Sequence, residues 1–267
     1  MIVNRRTIQN ECLVTGKGLH SGEPVSVRIF PSSAGIQFQH GKDVFQAIPA
    51  NVTDTSRCTV IGTIRTVEHI MSALAALAIT DARIELTYPE MPGLDGSSTM
   101  FIEALKASGH EDIGTTELQT IYSRLFVQAD DLKIAVAKGS GHWRFDFVTG
   151  DRWPGEMVYE CANVRESYEL EISPARTTVF SDEIEQVRAA GLGKGLDESS
   201  VLIIGQQGYE NYARFPDEPA RHKLLDLIGD LYLSGVPIDQ LNVVGYRSGH
   251  RRNVEMAKLL FECCQAP

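Results

Sequence analysis

Apolar and polar residues alternate through the first sixty positions of the chain. Val25, Val27 and Ile29 are separated by polar residues, and Ile36 and Phe38 repeat the spacing. A two-residue period belongs to strands buried on one face. Gly-Lys-Gly, Ser-Gly and Ser-Ser-Ala-Gly punctuate these strands as turns. From Arg65 the period lengthens. Val67, Ile70, Met71, Leu74 and Leu77 recur at helical spacing and predict a helix over 65–79. A strand over 83–88 and a helix over 101–108, closed by Gly109, follow.

Residues 110–120 are polar and show neither period, which predicts a boundary between one domain over 1–115 and another over 120–267. Beyond it, strands are expected at 124–129, 132–138, 142–148 and 157–172. A helix over 182–190 has Ser181 as its N-cap. A short strand at 201–204, a helix over 217–234, a strand at 241–246 and a helix over 253–264 complete the pattern. Strands outnumber helices in both halves, so each reads as α+β. The halves are alike in style, with no repeat visible residue by residue.

On a wheel of the 217–234 helix, Leu224, Leu227, Ile228, Leu231 and Tyr232 gather on one side. His222, Lys223, Asp226, Gly229 and Asp230 gather on the other. His222 and Asp226 stand one turn apart and can share one small partner. Taken alone, this face is equally a solvated one with a His–Asp pair. On the 65–79 helix, Glu68 and His69 point away from the apolar stripe, onto a flank of small residues (Ser72, Ala73, Ala75, Ala76). A flank of that kind is pressed against something, and enclosed polar groups need partners. A solvated Glu and a core His would also fit. Jointly, the two helices supply two imidazoles and a carboxylate, a set suited to a divalent metal with an open position. Glu68, beside a ligand, could then act as base on a metal-bound water. Ser-Gly-His at 248–250 ends a strand and sets His250 at a turn, where it is either an ordinary loop residue or a general acid.

Composition narrows the classes. The chain has 267 residues and a net charge of −10, and no basic face larger than Arg247, Arg251 and Arg252. That excludes a nucleic-acid footprint. No apolar run reaches the ~20 residues of a membrane helix. The N-terminus carries no secretory pattern, which points to the cytoplasm. Five cysteines without a C-x-x-C pair read as reduced thiols, not a disulfide framework.

Thr-Val-Glu-His (66–69), Arg-His-Lys-Leu-Leu-Asp-Leu-Ile-Gly-Asp-Leu (221–231) and Ser-Gly-His (248–250) closely resemble the UDP-3-O-acyl-N-acetylglucosamine deacetylase family of lipid A synthesis. Gly-Lys-Gly-Leu-His-Ser-Gly (16–22), Leu-Asp-Gly-Ser (94–97) and Ala-Arg-Thr (175–177) match in the same order. The resemblance implies two similar α+β domains, each a sheet on a helix pair, with the helices sandwiched between the sheets and the site at the domain interface. It implies Zn²⁺ on His69, His222 and Asp226, with Fe²⁺ accommodated by the same set. Glu68 would be the general base, His250 the general acid, Asp230 its orienting partner, and Thr177 a donor to the oxyanion. Lys223 would bind substrate. Segment 178–205, a helix and a short strand, would form an apolar passage for the acyl chain, lined by Leu19 and Ile184. His20 is a turn residue or a support behind the ligands. The implied partner is a small nucleotide-sugar lipid, handled by a monomer.

Two departures bear on specificity. Thr178 follows Thr177 where the family pattern has a phenylalanine that touches substrate, and the first-domain insert around 58–65 is short. Both suit a related deacetylase acting on another N-acetylated sugar nucleotide or glycolipid. A non-haem Fe(II) oxygenase also uses two His and a carboxylate, but has no use for Glu68 and His250 in these roles. A binding protein that kept the fold would not need the whole acid–base set.

Overall fold

The computed structural model describes residues 1–264. In the first half the strands are β1 (Ile2–Ile8), β2 (Cys12–Lys17), β3 (Pro24–Phe30), β4 (Ile36–His40), β5 (Asp43–Gln46), β6 (Val52–Asp54), β7 (Val60–Ile61), β8 (Ala82–Leu86) and β9 (His110–Glu117). Its helices are α1 (Glu68–Ala76) and α2 (Thr99–Ala107). The second half holds β10 (Leu125–Ala129), β11 (Leu132–Lys138), β12 (Trp143–Val148), β13 (Glu156–Cys161), β14 (Thr178–Phe180), β15 (Leu202–Ile204) and β16 (Leu241–Tyr246). Its helices are α3 (Val164–Ser167), α4 (Ile184–Ala189), α5 (Glu218–Tyr232) and α6 (His250–Cys264).

The fold is α+β, and its two halves have one layout. The first sheet runs β2-β3-β8-β4-β5 and the second β10-β11-β16-β12-β13. Numbered by their own chain order, both read 1-2-5-3-4. In each, the single parallel pairing joins strands 5 and 3: β8 with β4, and β16 with β12. In each, the fifth strand lies between two helices in the chain, α1-β8-α2 and α5-β16-α6. α5 and α6 pack together and onto strands of the second sheet, α2 packs on α1 and β2, and α1 lies against α5. The helices are thus the inner layers of a four-layer stack, and one apolar cluster runs through it. Alternation explains the sheets: Val25, Val27 and Ile29 point inward with exposures of 3% or less.

Five local expectations are corrected. Residues 110–117 form β9, paired antiparallel with β1 from Ile2↔Glu117 to Ile8↔His110. This ribbon buries almost none of β9, so backbone bonds hold it and the sequence carries no apolar period. The expected strand over 157–172 stops at Cys161. Asn163 then accepts from the backbone N–H groups of Arg165 and Glu166 and caps α3, and a π-helical turn follows over Tyr168–Ile172. Tyr168 and Ile172 are buried while Leu170 is exposed, a helical spacing that had passed for alternation. Ser181 caps nothing: it opens a 3-10 turn over Ser181–Glu183, and α4 begins without a side-chain cap. The helix expected from 253 begins three residues earlier, so His250 is its first residue and not a turn residue. At α1, Thr66 (φ 62) and Ala78 (φ 54) are left-handed, which trims the predicted helix from both ends.

Candidate metal and acid–base site

α1 is buried on every face, small residues included, and carries Glu68 and His69 in its first turn. It lies against α5 at Gly229. A Cβ there would stand 2.0 Å from the Glu68 carbonyl oxygen, so only glycine lets the two backbones approach this closely. The contact sets Glu68 and His69 opposite His222, Asp226 and Asp230.

His69 Nε2 and His222 Nε2 lie 3.6 and 3.5 Å from Asp226 Oδ1. The two rings meet edge to face at 5.1 Å. His222 Nδ1 donates to the Ala175 carbonyl at 3.0 Å, which leaves the Nε2 lone pair free. Burial pushes the His222 imidazole down to about 4, so it is neutral near pH 7. Asp226 Oδ2 accepts from Lys223 Nζ at 2.8 Å, whereas Oδ1 is buried with no hydrogen-bond partner. Burial opposes the charge on Asp226, but Lys223 and His222 hold its carboxyl well below the usual range. The three ligand atoms lie within 4.8 Å of one another, the one such group among the described residues. Ligands ~2.1 Å from a tetrahedral Zn²⁺ stand ~3.4 Å apart. The observed separations, two neutral-capable imidazoles and an orphaned carboxylate oxygen therefore fit a divalent ion.

Glu68 and His250 face each other beside this cluster, with Oε1 and Nε2 3.9 Å apart. Burial raises the Glu68 carboxyl, with the His250 and His69 charges working against it. Burial also opposes charge on His250, but Asp230 and Glu68 prevail and push it up to about 9. His250 Nδ1 donates to Asp230 Oδ2 at 3.0 Å. Asp230 lies wholly buried behind it and also accepts from Asn253 Nδ2 at 2.9 Å.

A cleft of about 590 Å³ opens over the cluster. It is lined by Leu19, Glu68, His69, Thr177, Thr178, Ile184, His222, Lys223, Asp226 and His250, so Asp230 alone of the expected site residues lies outside its walls. Thr177 is placed by the 94–97 turn: its N–H donates to the Gly96 carbonyl at 2.8 Å. Gly96 has φ +79, and a Cβ there would overlap the Ser200 carbonyl. Segment 178–205 is a small βαβ unit with β14 parallel to β15, one strand more than expected. Its inner wall carries the apolar Phe180, Val187, Leu192 and Leu196, with the charged Glu183, Arg188, Asp197 and Glu198 among them. The loop of Leu19 and His20 is held from behind by Glu90, which accepts from the backbone N–H groups of His20 and Ser21 at 2.7 and 2.9 Å. Burial pushes the His20 imidazole down to about 4.

Several partners escape a sequence reading. Arg176 and Glu218 form a buried pair at 2.9 Å that joins the two ends of the long insert. Thr59, Asn253 and Glu90 meet their carboxylates or loops across long stretches of chain, and no local pattern marks them. Val187, three residues after Ile184 on α4, could have been found from helical spacing. The five cysteines are free.

Relatives carry the same description. A family model described as LpxC, UDP-3-O-acyl N-acetylglycosamine deacetylase, matches residues 5–262. Proteins named UDP-3-O-acyl-N-acetylglucosamine deacetylase from Brucella melitensis biotype 2 and Brucella ovis are each 34% identical, over 96% of this chain and 94% of theirs. With a matched span that takes in both helices of the cluster and His250, the chain belongs to the UDP-3-O-acyl N-acetylglycosamine deacetylase family.

Proposed function

We propose that this protein hydrolyses the N-acetyl group of UDP-3-O-(3-hydroxyacyl)-N-acetylglucosamine, releasing acetate, as an early committed step of lipid A synthesis. His69, His222 and Asp226 hold the metal ion, Zn²⁺ on this reading, with Fe²⁺ chemically suited to the same ligands. The observation that carries it is the buried, unpartnered Asp226 Oδ1 between two imidazole Nε2 atoms, with a carboxylate and an imidazole standing alongside. When bound, such an ion polarises the amide carbonyl and makes water acidic enough to deprotonate near neutral pH.

The chain's own groups do the rest. Glu68, made more basic by burial, takes a proton from the attacking water. His250 holds a proton at neutral pH and delivers it to the leaving nitrogen. Asp230 fixes the ring through Nδ1, so that Nε2 faces the reaction. The Thr177 hydroxyl donates to the oxygen that gains charge as the carbonyl becomes tetrahedral. Lys223 offers its ammonium to the substrate from the wall of the cleft. Leu19, Ile184 and the apolar face of the long insert take the acyl chain. The molecule works as a single chain in the cytoplasm; no helix among the described residues is long and apolar enough to cross a membrane.

The test is to incubate purified protein with the UDP-linked substrate and measure free amine, with and without a chelator. Chelator-sensitive product is expected. A folded, metal-loaded sample that yields none would overturn the assignment of this sugar, and substitutions at Thr178 would then be tested against other N-acetylated sugars.

A further inference from the structure

Thr59 lies in the hairpin of β6 and β7, wholly buried, at the point where that hairpin enters the site. Its backbone is held at both ends of the peptide. Its N–H donates to Glu68 Oε2 at 3.0 Å, and its carbonyl accepts from the Val67 N–H at 3.2 Å. The hydroxyl reaches Asp230 Oδ1 at 2.5 Å and stands 3.4 Å from His250 Nδ1. A carboxylate only accepts, so the hydroxyl proton goes to Asp230 and a lone pair faces the imidazole N–H.

The acceptor atoms of Asp230 are divided between two sources. Oδ2 receives His250 Nδ1 and Asn253 Nδ2, both from α6. Oδ1 receives the Thr59 hydroxyl, from the other half of the molecule. Without that hydroxyl, a carboxylate with no exposed surface loses the donor on one oxygen and is held through the other oxygen alone. The His250 ring is aimed by that carboxylate and would turn with it.

We infer that Thr59 is a positioning residue that joins the base to the acid: its backbone holds the Glu68 carboxylate, and its hydroxyl holds Asp230 and through it His250. The inference rests on the hydrolase reading of the site. It assigns to the short insert of the first half a task in the reaction, namely keeping a group from α1 and a group from α6 in one register while each bears its own charge.

The experiment uses the metal-loaded full chain. Thr59→Val keeps the shape and both backbone bonds and removes only the hydroxyl; Thr59→Ser returns it. For Val, kcat falls roughly 10- to 100-fold, with KM within about twofold of wild type. For Ser, kcat recovers to within a few-fold of wild type. A Val variant with wild-type kcat, or a Ser variant as slow as Val, overturns the inference, the second by showing that packing and not the hydroxyl matters. A substrate-free readout separates this from the broader reading. The Nδ1–H proton resonance of His250, identified by its loss in His250→Gln, shifts in Val and returns in Ser. An unmoved resonance in Val overturns the inference whatever the activity. A wild-type enzyme that leaves the substrate intact while the resonance moves as expected sinks the choice of substrate and upholds the hold of Thr59 on the dyad.

Discussion

The five-stranded sheets of the two halves share strand order and the position of their one parallel pair, yet the halves differ in the link between the fourth sheet strand and the helix that precedes the fifth. In the first half it spans 47–67 and holds a single 3-10 turn and a small hairpin. In the second it spans 162–217 and holds α3, α4 and the β14–β15 pair. The framework is the part that repeats, and it brings the helices that precede the fifth strands, α1 and α5, together at Gly229. The links are the part that diverged. The short one places Thr59 between two carboxylates, and the long one builds an apolar wall over the cleft. On the proposed function, positioning the chemistry and selecting the substrate fall to different links on one scaffold.

Substitutions can break this comparison or sharpen it. The largest effect is expected at α1. Glu68→Gln should lower kcat by roughly 10³-fold while metal content, measured by elemental analysis, stays at the wild-type level. Loss of the ion together with activity would mean that base and ligands are not separable on that helix. His250→Gln, on the side of the second half, should cost roughly 10²-fold in kcat. It also carries a pH signature in chelated protein. His250 is pushed up to about 9 in the fold, above its ordinary value of 6.5. Its contribution to stability is therefore complete below pH 6.5 and is lost as pH rises through about 9. Denaturant titrations from pH 6 to 9.5 should show that loss in the wild type, and a flatter profile in His250→Gln.

The shared framework is tested by Gly229→Ala. The added methyl meets the Glu68 carbonyl, and the cost should be about 1–3 kcal/mol, read as a lowered Tm. Gly208→Ala, where a Cβ meets nothing within 4 Å, is the control and should leave Tm in place. The smallest effect is expected in the long link. Ile184→Ser should raise KM for a long-chain substrate by roughly tenfold and leave a short-chain analogue nearly unchanged, because it removes apolar contact and no polar group. Equal losses on both substrates would mean that the wall supports the catalytic groups as well, and the division between links would fail.

Much of this arrangement was legible beforehand because it is periodic. The polar face of α5 and the small-residue flank of α1 placed Glu68, His69, His222, Asp226 and Asp230 on two helices, and all five prove to be buried. The apolar alternation of β3 and β4 was equally plain. What could not be read lacks a period. β9 buries nearly nothing and is held by backbone bonds, so its side chains carry no signal. The turn after Cys161 depends on a single capping asparagine. Thr59 is one threonine among many. Its importance comes from a carboxylate brought to it by the folding of the other half, a property of no local segment.

The repeated 1-2-5-3-4 layout has a consequence for descent. When the corresponding helices of two copies touch each other, as α1 and α5 do, the contact has the form of an isologous dimer interface. A half-length ancestor that paired with itself would have made this contact with two identical helices, and each would have presented the same residues to the seam. Two halves of one chain are under no such identity. Here α1 brings Glu68 and His69 to the seam, while α5 brings His222, Asp226 and Asp230. The site is therefore asymmetric where the sheets behind it are alike, each half bringing different groups to one shared seam.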